Sequence, residues 1–301
     1  MAMNRANIAR ELVPGLNAVF GLAYGEVDNE HKALFDIERS ERAFEEEVLF
    51  TGFGTAPVKS EGAAFQYDEA QESYTSRYTH ETIALGFAIT EEAMEDNLYD
   101  TWAPLRTKAL GRAMANTKQT KAANIFNNGF STSYPGGDRV PLFSASHPTV
   151  AAGDQTNTVS ADLSEASLES AWITVSLTRD DRGILIGAMC KSLHIPPQLR
   201  FVAERILKSP LRYGTANNDL NALKSMGYFQ NGVDINHRFT DANAWFIRTD
   251  VPNGTKMFVR RPLRMEEMGD FDTGNKRIKT SERYSFGWSD FRQWYGSAGS
   301  S

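Results

Sequence analysis

The alternation of large and small residues over positions 83–89 predicts a β-strand with two different faces. One face is apolar, and the other carries only small residues, so that another backbone or a helix can approach it closely. Thr90 follows at the position of a helix N-cap, with two glutamates in the first turn, where acidic side chains suit the helix dipole. A helical pattern then continues to about Asn127, and Pro104 within it predicts a kink or the start of a second helix.

The segment before this strand, residues 50–83, is strand-like but too polar to fold against itself. Its large apolar groups are aromatic: Phe53, Phe65, Tyr67, Tyr74 and Tyr78. An isolated two-stranded hairpin is only marginally stable in water, so this segment needs a partner surface. We therefore expect a long hairpin that one subunit lays across its neighbours.

The N-terminal region is predicted to be an arm. Residues 4–24 follow a helical pattern that is interrupted around Pro14 and Gly15. The acidic stretch at 26–47 has only sparse apolar anchors, which indicates an extended arm that packs in places and is not a domain core. For residues 38–48 a solvated helix is an equally good interpretation.

The rest of the chain mixes helices and strands. Residues 129–160 form a long loop rich in Gly, Pro, Ser, Thr and Asn, and loops of this length are usually functional or mobile. The helices and strands predicted after it lie at 164–178, 184–195, 197–209, 245–247 and 256–259. The last third is expected to consist of short strands and turns. Without regular βαβ alternation or an internal repeat, the pattern predicts an α+β fold.

Composition narrows the class of protein. The net charge of −6 and the lack of blocks of basic residues argue against a dedicated nucleic-acid-binding protein. The single cysteine, Cys190, excludes a disulfide framework within the chain and follows an apolar run that predicts a buried thiol. No apolar stretch approaches the length of a membrane span, and the N-terminus lacks the features of a secretory signal. Folding in a reducing cytoplasm is the simplest interpretation.

The sequence predicts no catalytic, cofactor or metal site. Its five histidines are far apart in sequence, and the motifs HExxH, CxxC, GxSxG and GxxxxGK[ST] do not occur. The triplet Asp272-Thr273-Gly274 matches the aspartic-protease motif, but that mechanism needs two facing copies, so a polar turn is the better interpretation. The cationic residues near the C-terminus are Arg260, Arg261, Arg264, Lys276, Arg277, Lys279 and Arg283. Interspersed acidic residues predict a salt-bridged face there, with at most weak and sequence-independent contact with nucleic acid.

The order of these parts resembles the major capsid protein of tailed double-stranded-DNA phages, with the Hong Kong 97-type fold. Local motifs are similar to the Mu-type major head subunit group: PLFSASHP at 141–148, LSEASL at 163–168, Pro196-Pro197 before a helix, and RYSFGW at 283–288 followed by Tyr295-Gly296-Ser297. The resemblance spans nearly the whole chain. It implies a non-enzymatic protein that self-assembles into the icosahedral shell around the phage genome.

The resemblance also implies a division of the chain into an N-arm, an extended E-loop, a peripheral domain with the spine helix, an axial domain, and closing strands of both domains. The corresponding ranges are 1–48, 49–84, 85–160, 161–262 and 263–301. Some relatives crosslink their shells through a lysine of the E-loop and an asparagine elsewhere. Lys59 is the only lysine of this hairpin, but the sequence assigns it no asparagine partner, so we do not predict a crosslink. Lys59 joins the five aromatic residues in the expected contact between subunits.

The partners that the resemblance implies are further copies of the chain in pentamers and hexamers, a portal, a separate scaffolding protein, a decoration protein as a further candidate, and packaged double-stranded DNA contacted non-specifically. No membrane is involved, and the expected location is the virion capsid after assembly in the host cytoplasm. Two alternatives stay open at this point. One is an encapsulin-type nanocompartment shell, and the other is a monomeric α+β enzyme that uses the 129–160 loop as a lid.

Overall fold

The computed structural model describes residues 17–95, 99–211, 220–269 and 274–300. The helices are α1 (17–25), α2 (His31–Leu34), α3 (Glu91–Glu95), α4 (Tyr99–Asn127), α5 (Glu165–Ser176), α6 (Arg200–Lys208) and α7 (Ala222–Met226). The strands are β1 (Asp36–Arg39), β2 (Phe44–Phe50), β3 (Glu72–Thr79), β4 (Glu81–Ile89), β5 (Thr158–Val159), β6 (Cys190–Ile195), β7 (Val233–Ile235), β8 (Trp245–Thr249), β9 (Thr255–Gly269), β10 (Lys276–Trp288) and β11 (Trp294–Ser297). Short 3₁₀ turns lie at Pro197–Leu199 and Phe291–Gln293.

The strands form three sheets. The first has the order β1-β9-β10-β4, in which β1 runs parallel to β9 and the other pairs are antiparallel. The second has the order β5-β11-β8-β6-β7. The third is the two-stranded pair β2-β3. β10 is an inner strand of the first sheet, because it pairs with β9 on one side and with β4 on the other.

One face of the four-stranded sheet is covered by α1 and the long helix α4. Side chains of β10 alternate between this covered face, with Ile278 and Tyr284 buried, and an opposite face that is open to solvent. Gly86 of β4 fits only as glycine, because a Cβ there would lie 2.7 Å from the carbonyl oxygen of Ile278. The backbone nearest to Gly86 is that of the paired strand β10, whereas the small-residue face of β4 is exposed in the described structure, so a partner on that face stays a prediction.

The main core lies where the C-terminal end of α4 meets both large sheets. Phe126 is fully buried there, and its ring centroid lies 4.6 Å from that of Trp294 in β11 and 5.4 Å from that of Phe246 in β8. Met257 of β9 belongs to the same cluster. A single aromatic cluster thus fixes the helix against strands of both sheets.

A second core packs α5 and α6 against the five-stranded sheet, with Ala171 and Leu193 completely buried. The start of α5 is fixed by a reciprocal cap: the Ser164 hydroxyl accepts from the Ser167 amide at 3.1 Å, and the Ser167 hydroxyl accepts from the Ser164 amide at 2.9 Å. The helices predicted at 164–178 and 197–209 are confirmed as α5 and α6.

The long loop after α4 is fixed to the core through several buried residues, whereas the positions between them are exposed. His147 is completely buried, its Nδ1 lies 2.6 Å from Oδ2 of Asp138, and its ring stacks on Phe291 at 3.8 Å between centroids. Asn157 donates from Nδ2 to the Leu142 carbonyl at 2.7 Å. These polar residues of the loop are therefore used internally, where they satisfy buried partners.

The acidic arm is more firmly attached than its composition suggested. Leu34 and Phe35 belong to the main core, and β1 pairs in parallel with β9, so the expectation that this segment lies outside any domain core is wrong. The alternative of a solvated helix at 38–48 is also wrong, because β1 and β2 cover most of that range. Of the helix predicted at 4–24, residues 17–24 are confirmed in α1, and the rest lies outside the described residues.

The C-terminal third contains long strands, contrary to the expectation of short strands and turns. β9 has 15 residues and β10 has 13, and they pair antiparallel over most of their length. The expected domain boundary at 262 therefore falls inside β9.

Of the triplet Asp272-Thr273-Gly274, only Gly274 lies within the described residues, and its φ of 68° is typical of a turn. Thr90 contacts the Ala93 amide at 3.4 Å, as expected for a cap, and Pro104 lies inside α4.

Candidate assembly surface

The base of the predicted hairpin is the strand pair β2-β3. Phe44 lies opposite Thr79 at one end and Phe50 lies opposite Glu72 at the other. The base therefore pairs β3 of this segment with β2, which the acidic arm supplies as the second strand. Beyond the base, residues 51–71 contain no regular strand, and we call these residues the tip.

Tyr78 anchors the base to the four-stranded sheet. Its side chain is 2% exposed, and its ring meets that of Phe258 edge-on at 4.9 Å between centroids. A Cβ on Gly287 would lie 2.7 Å from the Tyr78 ring, so only glycine permits this contact. Burial raises the pKa of Tyr78, which keeps the phenol protonated and able to donate.

A relay of polar groups extends from this anchor. The Tyr78 hydroxyl and the Ser289 hydroxyl are 2.5 Å apart, and Ser289 also contacts the Glu47 carboxylate. Since an ionised carboxylate only accepts, Ser289 donates to Glu47 and Tyr78 donates to Ser289. Lys256 forms ion pairs with both Glu47 and Glu38, the latter at 3.1 Å. The base of the hairpin is thereby held through ring packing, hydrogen bonds and charge together.

The tip is mostly open to solvent. Thr51 and Gln71 close its two ends, with the Thr51 amide donating to the Gln71 carbonyl at 2.8 Å. Beyond them the aromatic side chains of Phe53, Phe65 and Tyr67 are 63%, 73% and 92% exposed. Such a group of exposed rings is unfavourable in water and typical of an interaction surface.

Two contacts restrict the orientation of the tip. The Asp68 carboxylate accepts from the Gly54 amide at 2.7 Å and from the Arg182 guanidinium at 2.6 Å. These bonds lower the pKa of Asp68, so the carboxylate stays charged at neutral pH. Lys59 lies over the Phe65 ring at 5.1 Å.

The structure divides the six residues that were expected to contact neighbouring subunits. Phe53, Lys59, Phe65 and Tyr67 lie in the tip, whereas Tyr74 and Tyr78 lie in the base. Burial of Tyr78 inside its own chain leaves almost no surface for a second subunit to touch. The sequence could not separate the two groups, because the local pattern around a tyrosine in a polar strand is the same whether its ring is buried against the subunit or exposed.

The cationic residues near the C-terminus are salt-bridged in part, as the sequence predicted. Glu266 pairs with Arg264 at 3.0 Å and with Lys279 at 3.1 Å, and Lys276 pairs with Glu267 at 2.8 Å. These neighbours lower the pKa of Glu266, with the hydrogen bond from Lys279 as the largest cause.

Within the described ranges, no three His, Cys, Asp or Glu side chains come together as a metal site would require. Cys190 is buried, and burial raises the pKa of its thiol to about 12, which keeps it an unreactive thiol. The helices that the structure describes are all too short or too polar to cross a bilayer.

Comparisons with known proteins agree with this architecture. The family model described as phage capsid protein matches residues 72–297, while a search of curated protein sequences finds no match. Among solved structures, the capsid of a native GTA particle has 13% sequence identity and a TM-score of 0.62, covering 91% of this chain and 92% of that chain.

Two further structures share the fold. The procapsid of bacteriophage JBD30 has 13% identity and a TM-score of 0.52, covering 98% of this chain and 75% of that chain. A virus-like particle from Pyrococcus furiosus has 11% identity and a TM-score of 0.53, covering 93% of this chain and 97% of that chain. The closer resemblance to the Mu-type group stays a prediction.

The family match does not favour an encapsulin, and it removes the alternative of a monomeric enzyme. The family model covers most of the chain, and a capsid protein agrees both with the fold and with the exposed aromatic side chains of the hairpin tip. The chain therefore belongs to the phage capsid protein family, with the Hong Kong 97-type fold, and is a structural protein of the icosahedral shell.

Proposed function

We propose that the hairpin tip is the contact through which each subunit of this major capsid protein holds its neighbour in pentamers and hexamers. The observation that carries this proposal is the contrast between the two ends of one hairpin. The base is anchored through Tyr78, whereas the tip exposes Phe53, Phe65 and Tyr67. A firmly held base limits the conformational entropy that is lost when the tip docks.

The magnitude of each contact suits reversible assembly. Burial of one large apolar side chain stabilises a contact by about 1.5–3 kcal/mol, so three rings contribute several kcal/mol before the cost of association. A single contact of this size is weak. Because every copy gives and receives the same contact in a closed shell, the contacts become collectively stable while each one can still be corrected during assembly.

The domain names of the fold can be assigned to the described elements as part of the proposal. The four-stranded sheet with α4 corresponds to the peripheral domain and spine helix. The five-stranded sheet with α5 and α6 corresponds to the axial domain, so the axial segment ends before β9. The same proposal includes a portal, a separate scaffolding protein, non-specific contact with packaged double-stranded DNA, and assembly in the host cytoplasm.

Removal of the tip tests the proposal while leaving the anchor in place. Residues 53–69 are replaced by Asn-Gly, which retains the closure between Thr51 and Gln71. A second variant keeps the length of the tip and changes Phe53, Phe65 and Tyr67 to serine. We expect both to fold with a nearly unchanged denaturation midpoint and to yield capsomers or monomers instead of shells in electron micrographs. Shells in normal number from either variant would refute the proposal.

A further inference from the structure

The strand β4 is an edge of the four-stranded sheet. Among the described strands only β10 pairs with it, over Glu81–Ile89, so the backbone groups on its other side have no strand partner. From Thr82 to Thr90 it contains no charged residue and no proline. Natural proteins usually protect such edges with lysine, proline or a bulge, and an unprotected edge is a template for another strand.

The solvent-facing side of this sheet combines small residues with positive charge. The pairing register places four small residues of β4 on the exposed face: Thr82, Ala84, Gly86 and Ala88. Directly opposite them on β10 are Arg283, Ser281, Lys279 and Arg277. On β9 the same face continues with Arg261, Arg264, Glu266 and Met268. Five of these twelve positions are cationic and one, Glu266, is acidic, so the face keeps an excess of positive charge although Arg264 and Lys279 pair with Glu266.

The tip has the complementary properties. It carries Glu61, Asp68 and Glu69 against the single base Lys59. Within the fully described tip, the backbone amides of residues 64–67 have no hydrogen-bond partner. In an extended segment, Phe65, Tyr67 and Glu69 point to one side, because side chains alternate with a period of two. Asp68 points to the other side, where it already binds Arg182.

We infer that residues 63–69 of one copy add as a further strand to the free edge of β4 in a second copy. This inference rests on the proposed role of the tip and names its receptor. Phe65 and Tyr67 would lie over the small residues of β4, where an aromatic ring next to Gly86 covers backbone that the glycine leaves exposed. Glu69 would lie on the same face, towards Lys279 and Arg277. Backbone hydrogen bonds supply the affinity, and the rings and charges select the face and register.

Other occupants fit this edge less well. A second copy's β4 would bring two cationic faces side by side, which like-charge repulsion opposes. Nucleic acid would be attracted by the charges of the face but has no peptide backbone that could pair with the free edge of β4. Only an acidic strand with exposed rings complements all three features, namely the free backbone edge of β4, its exposed small residues and the positive charge beside them.

Charge reversal tests the pairing of the two surfaces. Lys279→Glu together with Arg277→Glu is expected to reduce the yield of shells at least tenfold, the effect of about 1.4 kcal/mol per contact. Glu69→Lys together with Glu61→Lys in the tip should cause a similar loss. Combining all four changes should restore shells. Lys191→Glu on the five-stranded sheet is the matched control, because it changes the charge away from this face and should assemble normally.

Hydrogen exchange separates this inference from the proposed function. In assembled shells, alternate amides of β4 and alternate amides of residues 64–67 should exchange much more slowly than in free subunits, because strand addition pairs only every second group on an edge. Shells in which the tip rings are required but these amides stay unprotected would overturn strand addition and leave the tip contact standing. Failure of the four-residue combination to restore shells, with all variants folded, would also overturn it. Absence of any effect from removing the tip would overturn both.

Discussion

Removing the Tyr78 ring should detach the hairpin from the subunit that carries it. The change to be made is Tyr78→Ala, with Tyr78→Phe as the matched variant that keeps the ring and removes only the hydroxyl. Tyr78 is the point at which β3 meets the four-stranded sheet, through the ring of Phe258 and the hydroxyl of Ser289. The two variants therefore separate ring packing from the polar relay.

The expected magnitudes follow from burial. An aromatic ring that is 2% exposed leaves a cavity when it is truncated, and Tyr78→Ala should lower the free energy of unfolding by about 3–5 kcal/mol. Tyr78→Phe removes one buried hydrogen bond but leaves Ser289 bonded to Glu47, so it should cost about 1 kcal/mol. In neither case is a charged group left without its ion pair, because Lys256 still neutralises Glu47.

Urea denaturation measures these free energies, and hydrogen exchange of residues 44–50 and 72–79 locates the change. In Tyr78→Ala the β2-β3 amides should lose protection, whereas amides of β8 and β11 should keep it, and shells should become scarce. Tyr78→Phe should assemble. A loss below about 1 kcal/mol for Tyr78→Ala, or unchanged protection of β2 and β3, would refute the idea that this ring anchors the hairpin.

Three further predictions concern the body of the subunit. Phe126→Ala should lower the free energy of unfolding by about 3–5 kcal/mol in urea denaturation, because the ring is fully buried where α4 meets both sheets; Leu105→Ala, on an exposed part of the same helix, should change it little. Lys118 pairs at 2.5 Å with Glu282, whose pKa burial raises, so Lys118→Met should destabilise the protein by about 3–5 kcal/mol at pH 7. Acidification should recover part of that loss, because Glu282, whose pKa is raised in the folded state, binds a proton there more readily than in the unfolded state. A larger loss of stability at pH 5 than at pH 7 would contradict this account. Burial lowers the pKa of His31 to about 4 and that of His194 to about 3, against 6.5 when unfolded, so stability should fall by roughly 1.4 kcal/mol per pH unit per histidine between pH 6 and pH 4; a pH titration of the unfolding free energy should be flatter for His194→Gln.

Much of the local structure was predictable, because its signals are local. The cap at Thr90 marks the start of α3, the helical pattern at 164–178 gives α5, and the alternation at 83–89 gives β4 with its two faces. The hairpin and its exposed aromatic residues were also predictable. These features depend on residues a few positions apart, whose geometry the helix or strand fixes directly.

Other elements were missed because their polar residues lie inside. β10 buries Thr280 and Glu282 on its covered face, so its hydropathy pattern does not alternate and the sequence predicted only short strands and turns there. The attachment of the loop after α4 to the core was missed for the same reason, since His147 and Asn157 are buried polar residues. Composition indicates exposure only when polar groups have no partners elsewhere in the chain.

By itself, the sequence determined the α+β class, the long helix, a hairpin with aromatic residues that its own composition could not stabilise, and a resemblance to phage capsid proteins that the family match confirmed. Only the tertiary structure decided which of these aromatics anchor and which protrude, because that depends on Phe258 and Ser289, about 180 and 211 positions from Tyr78. It also decided that β4 is an edge beside a cationic face, since the order of strands in a sheet is set by pairings between distant segments. Contacts of that kind arise only when the chain reverses direction, and no local pattern encodes where it will do so.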